Sequence, residues 1–126
     1  MIYCKHSSLS LDEVEARLRE AVVRHKFGIL HVHDLQQTLQ AKKVAFGIPC
    51  KVFDVCNPQA ASTALTVEMK ISTVLPCRIS LYAEGEGCTI ATIKPTDLLR
   101  ATELAGVNQL AAVIEKEILA MINEAA

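Results

Sequence analysis

Apolar and polar positions alternate at the start of the chain. Ile2, Cys4 and His6 fall on one side and Tyr3 and Lys5 on the other, which predicts a short strand over residues 2–6. The period then changes: Leu11, Val14, Leu18, Ala21 and Val22 recur at helical spacing and predict a helix over residues 10–26. "SLDE" ahead of them is a capping box, in which Ser10 accepts from the Glu13 amide and Glu13 reaches back to the Ser10 amide. Gly28 is placed to stop the helix.

Further along, "ILHVH" has the β-branched and aliphatic content of a strand, and Asp34 then caps a short helix over residues 35–43. "GIP" breaks the chain, and Cys50 to Val55 is a second aliphatic strand. Asn57-Pro58 opens the next helix, because Asn caps well and Pro is pre-shaped for a first turn. Ala60, Ala61, Ala64 and Leu65 give it a thin face able to lie close on a sheet. From Val74 to Glu84 the period is two, with Cys77, Ile79, Leu81 and Ala83 on one side and Arg78, Ser80 and Tyr82 on the other. "EGEG" is hairpin-turn chemistry, and "CTIATI" returns as the partner strand before Pro95. Val107, Leu110, Ala111, Ile114, Ile118, Met121 and Ile122 form a C-terminal helical stripe. Val113 and Leu119 fall outside it, as scattered surface residues or as part of a subunit contact.

Together these elements predict one α+β domain over residues 1–126. Its sheet has about five mostly antiparallel strands, packed by an N-terminal and a C-terminal helix.

Composition changes this picture in two ways. Apolar residues make up 51% of the chain and aromatics only 4%, so the core is aliphatic, and the apolar surplus points to surface hidden by self-association. Formal net charge is −1 with scattered Lys and Arg, which excludes the basic face that nucleic-acid binding needs. No apolar run is long enough to span a bilayer. "MIYCKHSSLSLDE" lacks the basic and apolar segments of a signal peptide, so a cytoplasmic location is expected.

Five cysteines in such a chain are expected as reduced thiols, and no CxxC writes a local redox pair or zinc knuckle. Cys56 stands just before the helix cap at Asn57, where unpaired amides and the helix dipole favour thiolate. A thiolate attacks electrophiles or binds soft metal. The plainer alternative is a small side chain filling the strand–helix corner. Cys77 shares a side with Ile79 and Leu81, which suggests the core face. If the fold brings both strand ends together, Cys56 and Cys77 can hold Cu(I) or Zn(II), or form a reversible disulfide.

His31 and His33, two apart on one strand, point to the same side at a spacing that lets two imidazoles converge on a metal. Cys4 and His6 form a similar pair, and the two would join if their strands were neighbours. The alternative is a solvated strand face that carries histidines. No Gly-x-Ser-x-Gly elbow or phosphate-cradling loop occurs. Glu84 and Glu86 flank a turn, and Asp34 caps a helix rather than acting as a base.

At "VFDVCNPQAA" and "LPCRISLY" the chain resembles the bacterial and archaeal family known as domain of unknown function 302. The likeness rests on a strand ending in Cys-Asn-Pro and on Leu-Pro-Cys opening a hairpin about twenty residues later. "FGILHVHDLQQTL" and "KPTDLL" resemble the family's flanking segments. The resemblance implies a compact α+β fold, often a homodimer, and brings no settled activity. It covers Cys56, Asn57, Pro58, Pro76 and Cys77 but not Cys4, Cys50, Cys88, His31 or His33.

Three functions follow. The first is a homodimeric binding module whose ligand, a small molecule or soft metal ion, sits beside Cys56, Asn57, Pro58 and Cys77. The second is a thiol enzyme or redox protein with Cys56 as nucleophile and Cys77 as resolving thiol. The third is a structural or partner-binding domain with inert cysteines.

Overall fold

The computed structural model describes all residues from Met1 to Ala126. Five strands form one antiparallel sheet: β1 (Ile2–Ser7), β2 (Gly28–Asp34), β3 (Cys50–Cys56), β4 (Cys77–Glu84) and β5 (Gly87–Ile93). Their order across the sheet is β1-β5-β4-β3-β2, so the two N-terminal strands lie at opposite edges.

Five α-helices complete the fold: α1 (Leu11–Arg24), α2 (Leu35–Ala41), α3 (Pro58–Val67), α4 (Pro95–Thr102) and α5 (Asn108–Ala125). The α+β class, the five strands and the two packing helices are those the periodicity predicts.

The main core lies between one sheet face and the pair α1/α5. Val14, Leu18, Ala21 and Val22 of α1 and Ile118, Met121, Ile122 and Ala125 of α5 meet Phe53, Val55, Ile79, Leu81, Cys88 and Ile90 of the sheet. Alternation sends these strand residues inward, while Ile2, Cys4, His6, Arg78, His31 and Ile93 remain exposed on the other side. A second, smaller core of Ala64, Ile71, Leu99 and Val107 sits where α3, α4 and the start of α5 gather beyond the sheet end. α5 therefore joins both cores. Val113 is 58% exposed and stands outside both.

Local details depart from expectation for physical reasons. At the α1 cap, Ser10 accepts from the Glu13 amide at 3.2 Å, but the Glu13 carboxylate takes the Ser10 hydroxyl, at 3.3 Å, rather than the Ser10 amide. Lys26, at φ 62°, turns the chain out of α1, whereas Gly28 already belongs to β2. Strand β4 begins at Cys77 rather than Val74. Met69–Val74 winds as a 3₁₀ turn, followed by a cis Leu75–Pro76 peptide. α4 has no side-chain cap of its own. Glu115 of α5 supplies one, accepting from the Thr96 amide at 3.1 Å and the Thr96 hydroxyl at 2.6 Å.

Candidate functional site

Asn57 does what its residue type requires: its side chain accepts from the Ala60 amide at 3.1 Å while its carbonyl accepts from the Ala61 amide. Pro58 fills the first turn of α3 and carries no N–H. The first amides of α3 are thereby largely taken. Cys56, immediately before the cap, lacks the free donors that would favour its thiolate, and burial pushes its pKa up. The expectation of a dipole-favoured thiolate at this junction meets the opposite shift, because burial opposes the charged form.

Cys77 starts β4 and pairs in register with Val55, the residue before Cys56. The strand ends thus bring the two cysteines to one cavity. Although Cys77 is only half-buried as a residue, burial around its thiol, followed by the nearby Cys56, pushes its pKa to about 11. All five cysteines are free thiols.

The cavity measures about 340 Å³ and is lined by 22 residues, 17 of them hydrophobic. Val55, Cys77 and Phe27 form its sheet side. Ala60, Ala61 and Ala64 of α3 form one wall, and the small side chains predicted to let α3 lie close also leave this space. Val74 to Pro76, Leu98 and Leu99 of α4, and Leu110, Ala111 and Ile114 of α5 complete it. Asn57, Thr73 and Arg78 supply its polar side chains, beside the thiols of Cys56 and Cys77.

His31 and His33 do not join Cys56 and Cys77 in a metal site. No group of three or more His, Cys, Asp or Glu side chains is arranged to hold a metal ion. The imidazoles of His31 and His33 pack edge to face, with ring centres 4.4 Å apart. His33 Nε2 instead lies 2.8 Å from Asp54 Oδ2. The Cys4/His6 pair is also separate, because β1 and β2 lie four strand spacings apart, about 19 Å.

Sequence reading missed the cavity's far wall. The α4 segment was visible only as "KPTDLL", and a Pro at the first helical position was its available signal. Arg78 was assigned to a strand face without a role. It contacts Asp54 through Nε at 3.3 Å and also borders the cavity.

A family model described as "Domain of unknown function DUF302" matches residues 3–125. A solved structure described as an uncharacterized conserved protein DUF302 from Bacillus stearothermophilus is similar at 30% sequence identity. It has a TM-score of 0.93, over 99% of this chain and 98% of that one. No curated protein matches.

Proposed function

The chain belongs to the DUF302 family, and from the cavity built into that fold we propose a small-molecule binding module, cytoplasmic and homodimeric, with its pocket beside Cys56 and Cys77. The observation that carries this reading is the cavity of about 340 Å³ with its 17 hydrophobic lining residues and a few polar groups. Ligand sites are concave and mostly apolar, with few orienting polar groups, and this volume lies within their usual range. Close packing is the rule for interiors, so a domain with a purely structural role has no need of such a space.

In this reading Cys56, Asn57 and Pro58 sit where β3 gives way to α3, and Cys77 walls the cavity from the sheet side. An organic ligand fits better than a soft metal, because metal ligation needs thiolate and burial raises both thiol pKa values. The same shift disfavours a thiol enzyme using Cys56 as nucleophile. Free thiols suit a reducing compartment. The apolar surplus of the chain, with Ile2 68% exposed on the edge strand β1, supports self-association with a second copy.

Titration with Nile red, a neutral apolar dye, tests the pocket. The expected result is one dye bound per chain, and loss of binding in an Ala61→Phe variant that keeps the wild-type unfolding midpoint. Absence of dye binding, or binding indifferent to this substitution, overturns the pocket. Light scattering tests the assembly, and a monomer mass overturns the homodimer.

A further inference from the structure

Among the residues that line the cavity, Arg78 alone carries a formal charge. We infer that the ligand is an amphiphilic monocarboxylate, its apolar chain in the cavity and its carboxylate on the Arg78 guanidinium. The inference rests on the pocket proposed above and names its ligand class.

Arg78 is suited to that role by how it is held. Its Nε lies 3.3 Å from Asp54 Oδ1, and no other carboxylate forms an ion pair with it. The terminal amino groups of the guanidinium are therefore left to an incoming anion. They form a planar fork that matches a carboxylate in two parallel hydrogen bonds. The side chain is 68% exposed, so its guanidinium is open to an anion arriving from solvent.

Asp54 is shared with His33, which faces its other oxygen, so the aspartate does not claim the guanidinium alone. Burial at Cys56 and Cys77 disfavours thiolate, so neither sulfur competes with an anion at the rim. A single arginine matches a monoanion, whereas a phosphate dianion would call for more cations than this rim offers.

Size narrows the class further. At about 30 Å³ per water-sized group, a space of this volume holds about eleven such groups, the bulk of a medium-chain acid.

The test is displacement of Nile red by octanoate and by octanol, which share a chain and differ in charge. Octanoate is expected to bind about fivefold more tightly than octanol, as for a partly exposed ion pair with good geometry. Arg78→Gln is expected to erase that preference, and Arg78→Lys to keep part of it. If Arg78→Gln fails to fold, the wild-type preference must shrink at about 1 M salt, where surface charges are screened.

Equal binding of the two, a preference that survives Arg78→Gln, or one indifferent to salt overturns the carboxylate assignment while the pocket stands. Dye binding with displacement by neither compound overturns the amphiphile. Absence of dye binding removes the pocket itself.

Discussion

His33 of β2 and Asp54 of β3 meet across neighbouring strands, with Nε2 2.8 Å from Oδ2. Arg78 of β4 approaches the other carboxylate oxygen at 3.3 Å, an ion pair whose geometry does not make a hydrogen bond. The Asp54 side chain is 12% exposed and its two partners are far more open. The carboxylate is therefore the group that depends on the contact. Asp54→Asn is expected to cost less than about 1 kcal/mol, since both partners can return to water. Removing both partners, His33→Ala with Arg78→Ala, is expected to cost about 3 kcal/mol, because a buried charge is left uncompensated. Urea unfolding of the three proteins checks the asymmetry, and equal losses would refute it.

The hairpin turn holds a second dependence of this kind. Gly85 adopts φ 60°, the conformation expected of a turn glycine, but Gly87 is needed for another reason. A Cβ there would lie 1.9 Å from the Ser7 carbonyl oxygen, because β1 ends against the start of β5. Gly87→Ala is expected to destabilise the fold by about 2 kcal/mol or more, since backbone must move. Gly47→Ala meets nothing within 4 Å and serves as the neutral control. Thermal unfolding midpoints distinguish the two.

His25 closes α1 between two glutamates of α5. Its Nδ1 faces Glu117, and its Nε2 lies 2.8 Å from Glu124, which also lies 3.6 Å from Arg24. The hydrogen bond with Glu117, reinforced by Glu124 and opposed by burial, raises the histidine pKa above its usual 6.5. A raised value in the folded chain means that the protonated form is the stabilising one. This contribution is complete below about pH 6.5 and is lost as pH rises through the folded value. Urea unfolding at pH 6 and at pH 9 is expected to show wild type losing more stability on alkalisation than His25→Gln. Parallel losses would refute the linkage.

The elements that the sequence made legible are those whose own residues define them. Ser10, Asp34 and Asn57 each cap the helix they announce, accepting from Glu13, Gln37 and Ala60. Alternation placed Ile79 and Leu81 inward and Arg78 outward, as found. Elements closed by distant partners were not legible. α4 takes its cap from Glu115, nineteen residues away, and the 3₁₀ turn that ends at Val74 sets the strand start at Cys77, three residues into the alternating stretch. A period records which side a residue takes, not where the pattern starts.

The candidate site divides in the same way. The Cys-Asn-Pro junction is local chemistry and could be read from residue types. Whether Cys56 and Cys77 share a space depends on β3 and β4 being paired, with Val55 opposite Cys77. Whether the Cys4/His6 and His31/His33 pairs share one depends on β1 and β2 being neighbours, and the sheet places them at opposite edges. Strand order, not residue spacing, decided both. Burial sets the direction of the Cys56 shift, and two of the α3 amides that the dipole would offer already bond the side chain and carbonyl of Asn57.

That correction makes the thiols a direct probe of the site. Cys4 is exposed, Cys56 and Cys77 border the cavity, and Cys88 is fully buried, with its thiol 3.6 Å from the Leu9 carbonyl oxygen. A thiol with a pKa of about 11, as at Cys77, is thiolate in about one molecule in ten thousand at pH 7. Maleimide labelling followed by mass spectrometry is expected to modify Cys4 first, Cys56 more slowly, and Cys77 and Cys88 last. In denaturant all five should label at similar rates. Octanoate at saturating concentration should slow Cys56 further without changing Cys4, because only the former borders the occupied space. Labelling of Cys77 as fast as Cys4 in the folded protein would mean an open, ionised sulfur and would return the nucleophile to consideration.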